Sequence, residues 1–84
     1  MVKSFTLVRV KPHRDKDVYG RIRQFHEVKG VNVTYGEYDL IVEIDVSSLN
    51  ELDSFIFNKL RAIEGVESTT TLIEASPPEI KKEQ

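Results

Sequence analysis

Between Val2 and Lys11, apolar and polar residues take turns with the two-residue period of a half-buried strand. The period then lengthens. Val18, Ile22 and Phe25 recur at i, i+4 and i+7, which predicts one apolar helical stripe over roughly residues 15–28, with Asp15 and Asp17 placed near its positive end. Residues 31–35 (VNVTY) and 38–46 (YDLIVEIDV) return to alternation, and Gly36 between them supplies a left-handed or bulged turn without steric cost. Ser48-Leu49-Asn50-Glu51 fits a capping box, and Leu49, Leu52, Ile56, Leu60 and Ile63 continue as a stripe down a second helix. Gly65 is placed to end that helix, and residues 66–75 read as a final strand. Ser76-Pro77-Pro78 halts the pattern, so the chain divides into one domain over 1–75 and a flexible tail over 76–84.

A shift of 35 positions superimposes the chain on itself: Phe5 and Leu7 fall on Leu40 and Val42, Phe25 and Val28 on Leu60 and Ile63, and Gly30-Val31 on Gly65-Val66. Each copy reads strand, helix, glycine, strand. Two interleaved units of that kind give an α+β, ferredoxin-like βαββαβ fold, a four-stranded antiparallel sheet with two helices on one face, as in dimeric α/β-barrel proteins. If Phe5, Leu7, Leu40 and Val42 face the helices, the opposite face displays Val8, Val10, Ile41 and Ile73. Four aliphatic residues on an uncovered sheet predict a dimer interface there.

Size strengthens that expectation. The 84 residues make a single small domain, and the absence of cysteine removes disulfides, thiolate catalysis and cysteine metal sites, leaving oligomerisation as the available reinforcement. No apolar run approaches the ~20 residues of a membrane span, and Met1 leads directly into alternating residues, so a cytoplasmic protein is expected. The net charge of −2 hides an asymmetry: residues 1–30 hold eight Lys/Arg against three acids, and residues 31–84 hold four against eleven. Such a dipole suits a polyanion or the mutual steering of chain copies.

The run Gly36-Glu37-Tyr38-Asp39-Leu40, the following Val-Glu-Ile-Asp, and Ile63-Glu64-Gly65-Val66 ahead of Ser68-Thr69-Thr70-Thr71 resemble the effector-binding (RAM) domain of the Lrp/AsnC family. The likeness covers about residues 3 to 75. It implies sheet-mediated homodimers, rings of dimers, and a free amino acid bound as effector where dimers meet. Full members carry a helix-turn-helix ahead of this domain, whereas here the chain starts at the first strand. The expected protein is therefore a stand-alone sensor that influences transcription indirectly through assembly, without direct DNA binding. The alternative is a pure interaction module that co-assembles with a full-length Lrp/AsnC regulator and binds no small molecule.

A zwitterion needs a carboxylate or carbonyl for its ammonium and amide or hydroxyl donors for its carboxylate. Tyr35, Gly36, Glu37, Tyr38 and Asp39 offer both kinds, with Gly36 admitting close backbone approach, Asp39 or Glu37 meeting the ammonium, and Tyr35 or Tyr38 walling a side-chain pocket. Thr69, Thr70 and Thr71 add hydroxyls. Each also has a plain structural use: a turn glycine, a packing tyrosine, β-forming threonines. Asp39 is the most telling, because aspartate is disfavoured in strands and something must compensate it: a turn amide, a neighbour's arginine or a ligand amine.

Other classes fit less well. An RNA-recognition module of the same element order needs basic and aromatic residues on its third strand, where this chain places Asp39, Glu43 and Asp45. Arg14, Lys16, Arg21 and Arg23 form a basic helix face without interleaved aromatics, which reads as a solvated surface. His13 and His26 are not spaced as ligands, so no metal site, cofactor or enzyme activity is expected.

Overall fold

Strand β1 (Val2–Val10) is the centre of the architecture, and its burial alternates residue by residue, with Ser4, Thr6, Val8 and Val10 buried and the residues between them half-exposed. The computed structural model describes residues 1–76. After β1 come α1 (Asp15–Ile22), β2 (Val28–Val33), β3 (Leu40–Val46), α2 (Leu49–Phe55) with a π-helical turn at Ile56–Leu60, and β4 (Val66–Ile73). The strands form one antiparallel sheet in the order β2-β3-β1-β4. This is the expected ferredoxin-like α+β arrangement, with both helices over one face. Among the described residues no helix is long and apolar enough to cross a membrane.

The core lies between that face and the helices. Val8, Val10, Leu40, Val42, Ile44 and Val46 meet Val18 and Ile22 of α1 and Leu52, Phe55, Ile56 and Leu60 of the second helical segment. The interface expected on the opposite face is corrected accordingly. Val8 and Val10, at 0% and 8% exposure, belong to the helix-covered core. Ile73 sits opposite Ser4, which places it on the helix side too, while Ile41 alone of the four lies on the open face, opposite Leu7. The open face carries Phe5, Leu7 and Ile41 half-exposed and Leu72 at 54% exposure. The cause is that β1 changes parity midway: odd positions hold the large apolar residues as far as Leu7, and even positions hold them from Val8 onward. The buried row consequently includes two hydroxyls, of which Thr6 Oγ1 shares a 3.0 Å hydrogen bond with Thr71 Oγ1.

Other departures are local. The first helix stops at Ile22 rather than near 28, because the amides of Gln24, Phe25 and Val28 bond to carbonyls three residues back and turn the chain. Phe25 still reaches the core, edge-on to Phe55 at 5.3 Å, and β2 starts at Val28 with an irregularity before Gly30. At α2, Ser48 Oγ accepts the Glu51 amide at 3.1 Å, but the Glu51 carboxylate takes the Ser47 hydroxyl, so half of the capping box is formed. Leu49 is 55% exposed and Phe55 is buried in its stead. Each four-residue step along an α-helix drifts by about 40°. The wider π turn, closed by Arg61 N–H to Ile56 O at 2.8 Å, offsets part of that drift and keeps Ile56, Leu60 and Ile63 inward. Gly65 has φ 106°, and a Cβ there would stand 2.8 Å from Val18 Cγ2. Strand β4 ends at Ile73, and the tail expected over 76–84 lies, beyond Ser76, outside the described residues.

Candidate functional site

The bend Thr34–Asp39 joins β2 to β3 and is built largely from its own polar groups. Thr34 N–H donates to Asp39 O at 2.9 Å, Thr34 Oγ1 donates to Tyr38 O at 2.7 Å, and Gly36 takes φ 118° at the turn. Nothing lies within 4 Å of where a Gly36 Cβ would be, so glycine is needed there for its backbone angle and not for space.

Strand β1 extends past the start of β3 at this end. Its Val8 pairs with Leu40, and Asp39 N–H donates to Val8 O at 2.9 Å. One step further, Asp39 Oδ2 accepts the Val10 amide at 2.7 Å. The aspartate thus continues the ladder by side chain where the backbone partner has run out, and a strand amide compensates it.

Four side chains converge beside the bend on the open face. Arg9 donates from Nε to Glu37 O at 3.1 Å and from Nη2 to Glu37 Oε2 at 3.3 Å. Its guanidinium lies 5.5 Å from the centre of the Tyr38 ring. Tyr38 Oη reaches across β1 to within 3.5 Å of Thr70 Oγ1. Of the residues singled out in the sequence, Glu37, Tyr38 and Thr70 come together here, with Gly36 forming the turn. Tyr35 is fully exposed at the apex. The threonine triplet is divided by the strand pleat: Thr69 pairs with Val8 and Thr71 with Thr6, which sets both on the helix side, away from Thr70. Arg9 was missed. In the sequence Arg9 shows only as the cation that closes the odd-numbered apolar series Phe5, Leu7, and its nearness to the bend comes from the fold.

Elsewhere several charged groups have structural partners, while the buried Ser4 Oγ and Asp45 Oδ1 have none among the described residues. Glu27 is 7% exposed, with Lys59 Nζ 2.8 Å from Oε2 and His26 Nδ1 3.5 Å from Oε1. Burial pushes its carboxyl up, but the Lys59 hydrogen bond, its own amide and the His26 and Lys59 charges outweigh that and hold it below the usual carboxylate value. On the basic helix, Arg14 and Arg21 both pair with Asp17, Arg14 also with Glu64, and Arg23 lies over Tyr19. On the open face Glu43 pairs with Lys3 at 3.4 Å. Among the described residues no group of histidine and carboxylate side chains is placed to hold a metal ion.

Comparison with known proteins matches residues 3–81 to the family described as the Lrp/AsnC ligand binding domain. An uncharacterised HTH-type transcriptional regulator of Pyrococcus furiosus is 35% identical over 66 residues, 79% of this chain and 45% of that protein. The chain spans about half the length of the curated relatives it matches. Among solved structures, a hypothetical protein from Pyrococcus horikoshii superimposes with a TM-score of 0.84 at 35% identity, over 92% of this chain and 93% of its own. A transcriptional regulator of Neisseria meningitidis, solved as a complex with L-Met, has a TM-score of 0.83 at 18% identity, over 94% of this chain and 53% of its own, a likeness of fold.

Proposed function

The chain belongs to the Lrp/AsnC ligand-binding domain family, a regulatory domain and not an enzyme, and on that premise we propose that it senses a free amino acid in the cytoplasm. In this reading two copies associate through the open sheet face, the dimers assemble further into a ring, and the amino acid lodges at the Gly36–Asp39 bend where dimers meet. The observation that carries the reading is the placement of the bend. Arg9, Glu37, Tyr38 and Thr70 gather at one end of the same sheet face that leaves Phe5, Leu7, Ile41 and Leu72 uncovered. A chain of this size gains stability by covering such a face, and a ligand bridging the contact between dimers at its end favours whichever assembly completes its site. The Neisseria regulator's complex with L-Met supports the ligand class. Regulation of transcription then runs through assembly, alone or with a full-length regulator.

Titration calorimetry with each of the twenty amino acids, on protein whose mass has been fixed by light scattering, tests the reading. Binding of at least one, with a change in assembly size, is the expected result. No binding at millimolar concentration by a stable oligomer would transfer the role to co-assembly alone.

A further inference from the structure

We infer that the Arg9–Glu37 ion pair is the receiver for the ligand's two charges, and that it works by exchange: the pair opens, Arg9 takes the ligand carboxylate and Glu37 takes its ammonium. The inference rests on the amino-acid-binding reading and specifies which residues of the bend carry it. Asp39, the obvious ammonium partner in the sequence, is committed to the Val10 amide at 2.7 Å. Its displacement would leave a strand amide unbonded. Glu37 is under no such constraint, since its side chain is 72% exposed and that of Arg9 is 40% exposed, with 3.3 Å between the charged atoms. An exposed pair of that kind contributes little to stability, so opening it costs little.

The geometry also prepares Arg9 for a carboxylate. The Tyr38 ring beneath it and the Glu37 carbonyl on its Nε fix the plane of the guanidinium, while further N–H donors stay open to a bidentate partner. Before binding there is one ion pair at the bend, and after binding there are two. A molecule with only an amine or only a carboxylate would satisfy one partner and leave the other unmatched, so the exchange selects α-amino acids over amines and simple acids.

The test is calorimetric, on the assembled full chain, using the tightest-binding of the twenty amino acids together with its carboxamide and its N-acetyl derivative. Wild type is expected to bind the free amino acid at least about tenfold more tightly than either derivative. Arg9→Gln is expected to weaken the free amino acid by at least about tenfold while leaving the carboxamide, which has no carboxylate to lose, unchanged. Glu37→Gln is expected to weaken the free amino acid and leave the N-acetyl derivative unchanged. Circular dichroism and mass measurements check that both variants keep the wild-type fold and assembly. Wild-type binding with full affinity retained in Arg9→Gln and Glu37→Gln overturns the exchange and leaves the sensor reading intact. A uniform loss for all three ligands in a well-folded variant overturns it too, since that pattern marks a structural role. If the wild type binds none of the twenty, the sensor reading fails and the exchange fails with it.

Discussion

The Asp39 carboxylate accepts the backbone amide of Val10 at 2.7 Å, which joins the last residue of the bend to the end of the central strand. Asp39→Ala leaves that part-buried amide without an acceptor and should cost about 1–3 kcal/mol of folding stability. Asp39→Asn keeps a side-chain oxygen and should recover most of the loss. Urea denaturation of the three proteins measures both, and an alanine variant as stable as wild type would show that water replaces the carboxylate at no cost.

The open face gives a paired prediction. Leu7→Glu adds a charge to a half-exposed row and should yield a folded monomer by light scattering, with an unchanged far-ultraviolet spectrum. Val8→Glu, one residue on, places the same charge at a site with 0% exposure and should abolish folding. An oligomer that persists in Leu7→Glu would place the subunit contact elsewhere.

Two glycines with positive φ separate conformational need from space. Gly36→Ala pays only for its backbone angle, about 1–2 kcal/mol. Gly65→Ala carries a similar angle and adds a contact 2.8 Å from Val18 Cγ2, which overpacking raises by about a further 1–3 kcal/mol. Thermal denaturation should therefore rank Gly65→Ala well below Gly36→Ala, and equal melting temperatures would show that Val18 and Arg14 move aside freely.

Glu27 sets an acid limit. Its carboxyl titrates below the ordinary value of 4.5 in the fold, so its contribution is fully present above that value and disappears as pH falls through the lower folded value. Glu27→Gln should be less stable than wild type at neutral pH, and the two should converge as pH falls through the lowered folded value and the Glu27 carboxyl becomes neutral. A gap that stays constant between those conditions would assign the loss to packing.

Much of the fold was legible because its strongest signals are local. The 35-residue repeat, the two glycines before Val31 and Val66, and the alternation of Leu40, Val42, Ile44 and Val46 set the element order. Faces were harder. In β1 the apolar parity changes between Leu7 and Val8, so counting alternate residues selects either side, and only pairing with β3 and β4 decides it. In the second helix the chosen series took Leu49 and passed over Phe55, which follows buried Leu52 by three residues and so shares its inward side. The bend was found from its composition, but its partner Arg9 lies 28 residues away, and no local pattern records which side chain a folded sheet will set beside it.

The two-sided character of β1 bears on how the protein reaches its fold. A strand with aliphatic residues on both faces can slide by one position and still bury oily side chains, so misaligned chains should compete with correct ones during refolding. Thr6 against Thr71 and Asp39 against the Val10 amide are polar ties that only the true alignment can make. They discriminate between alignments that hydrophobicity leaves nearly equal.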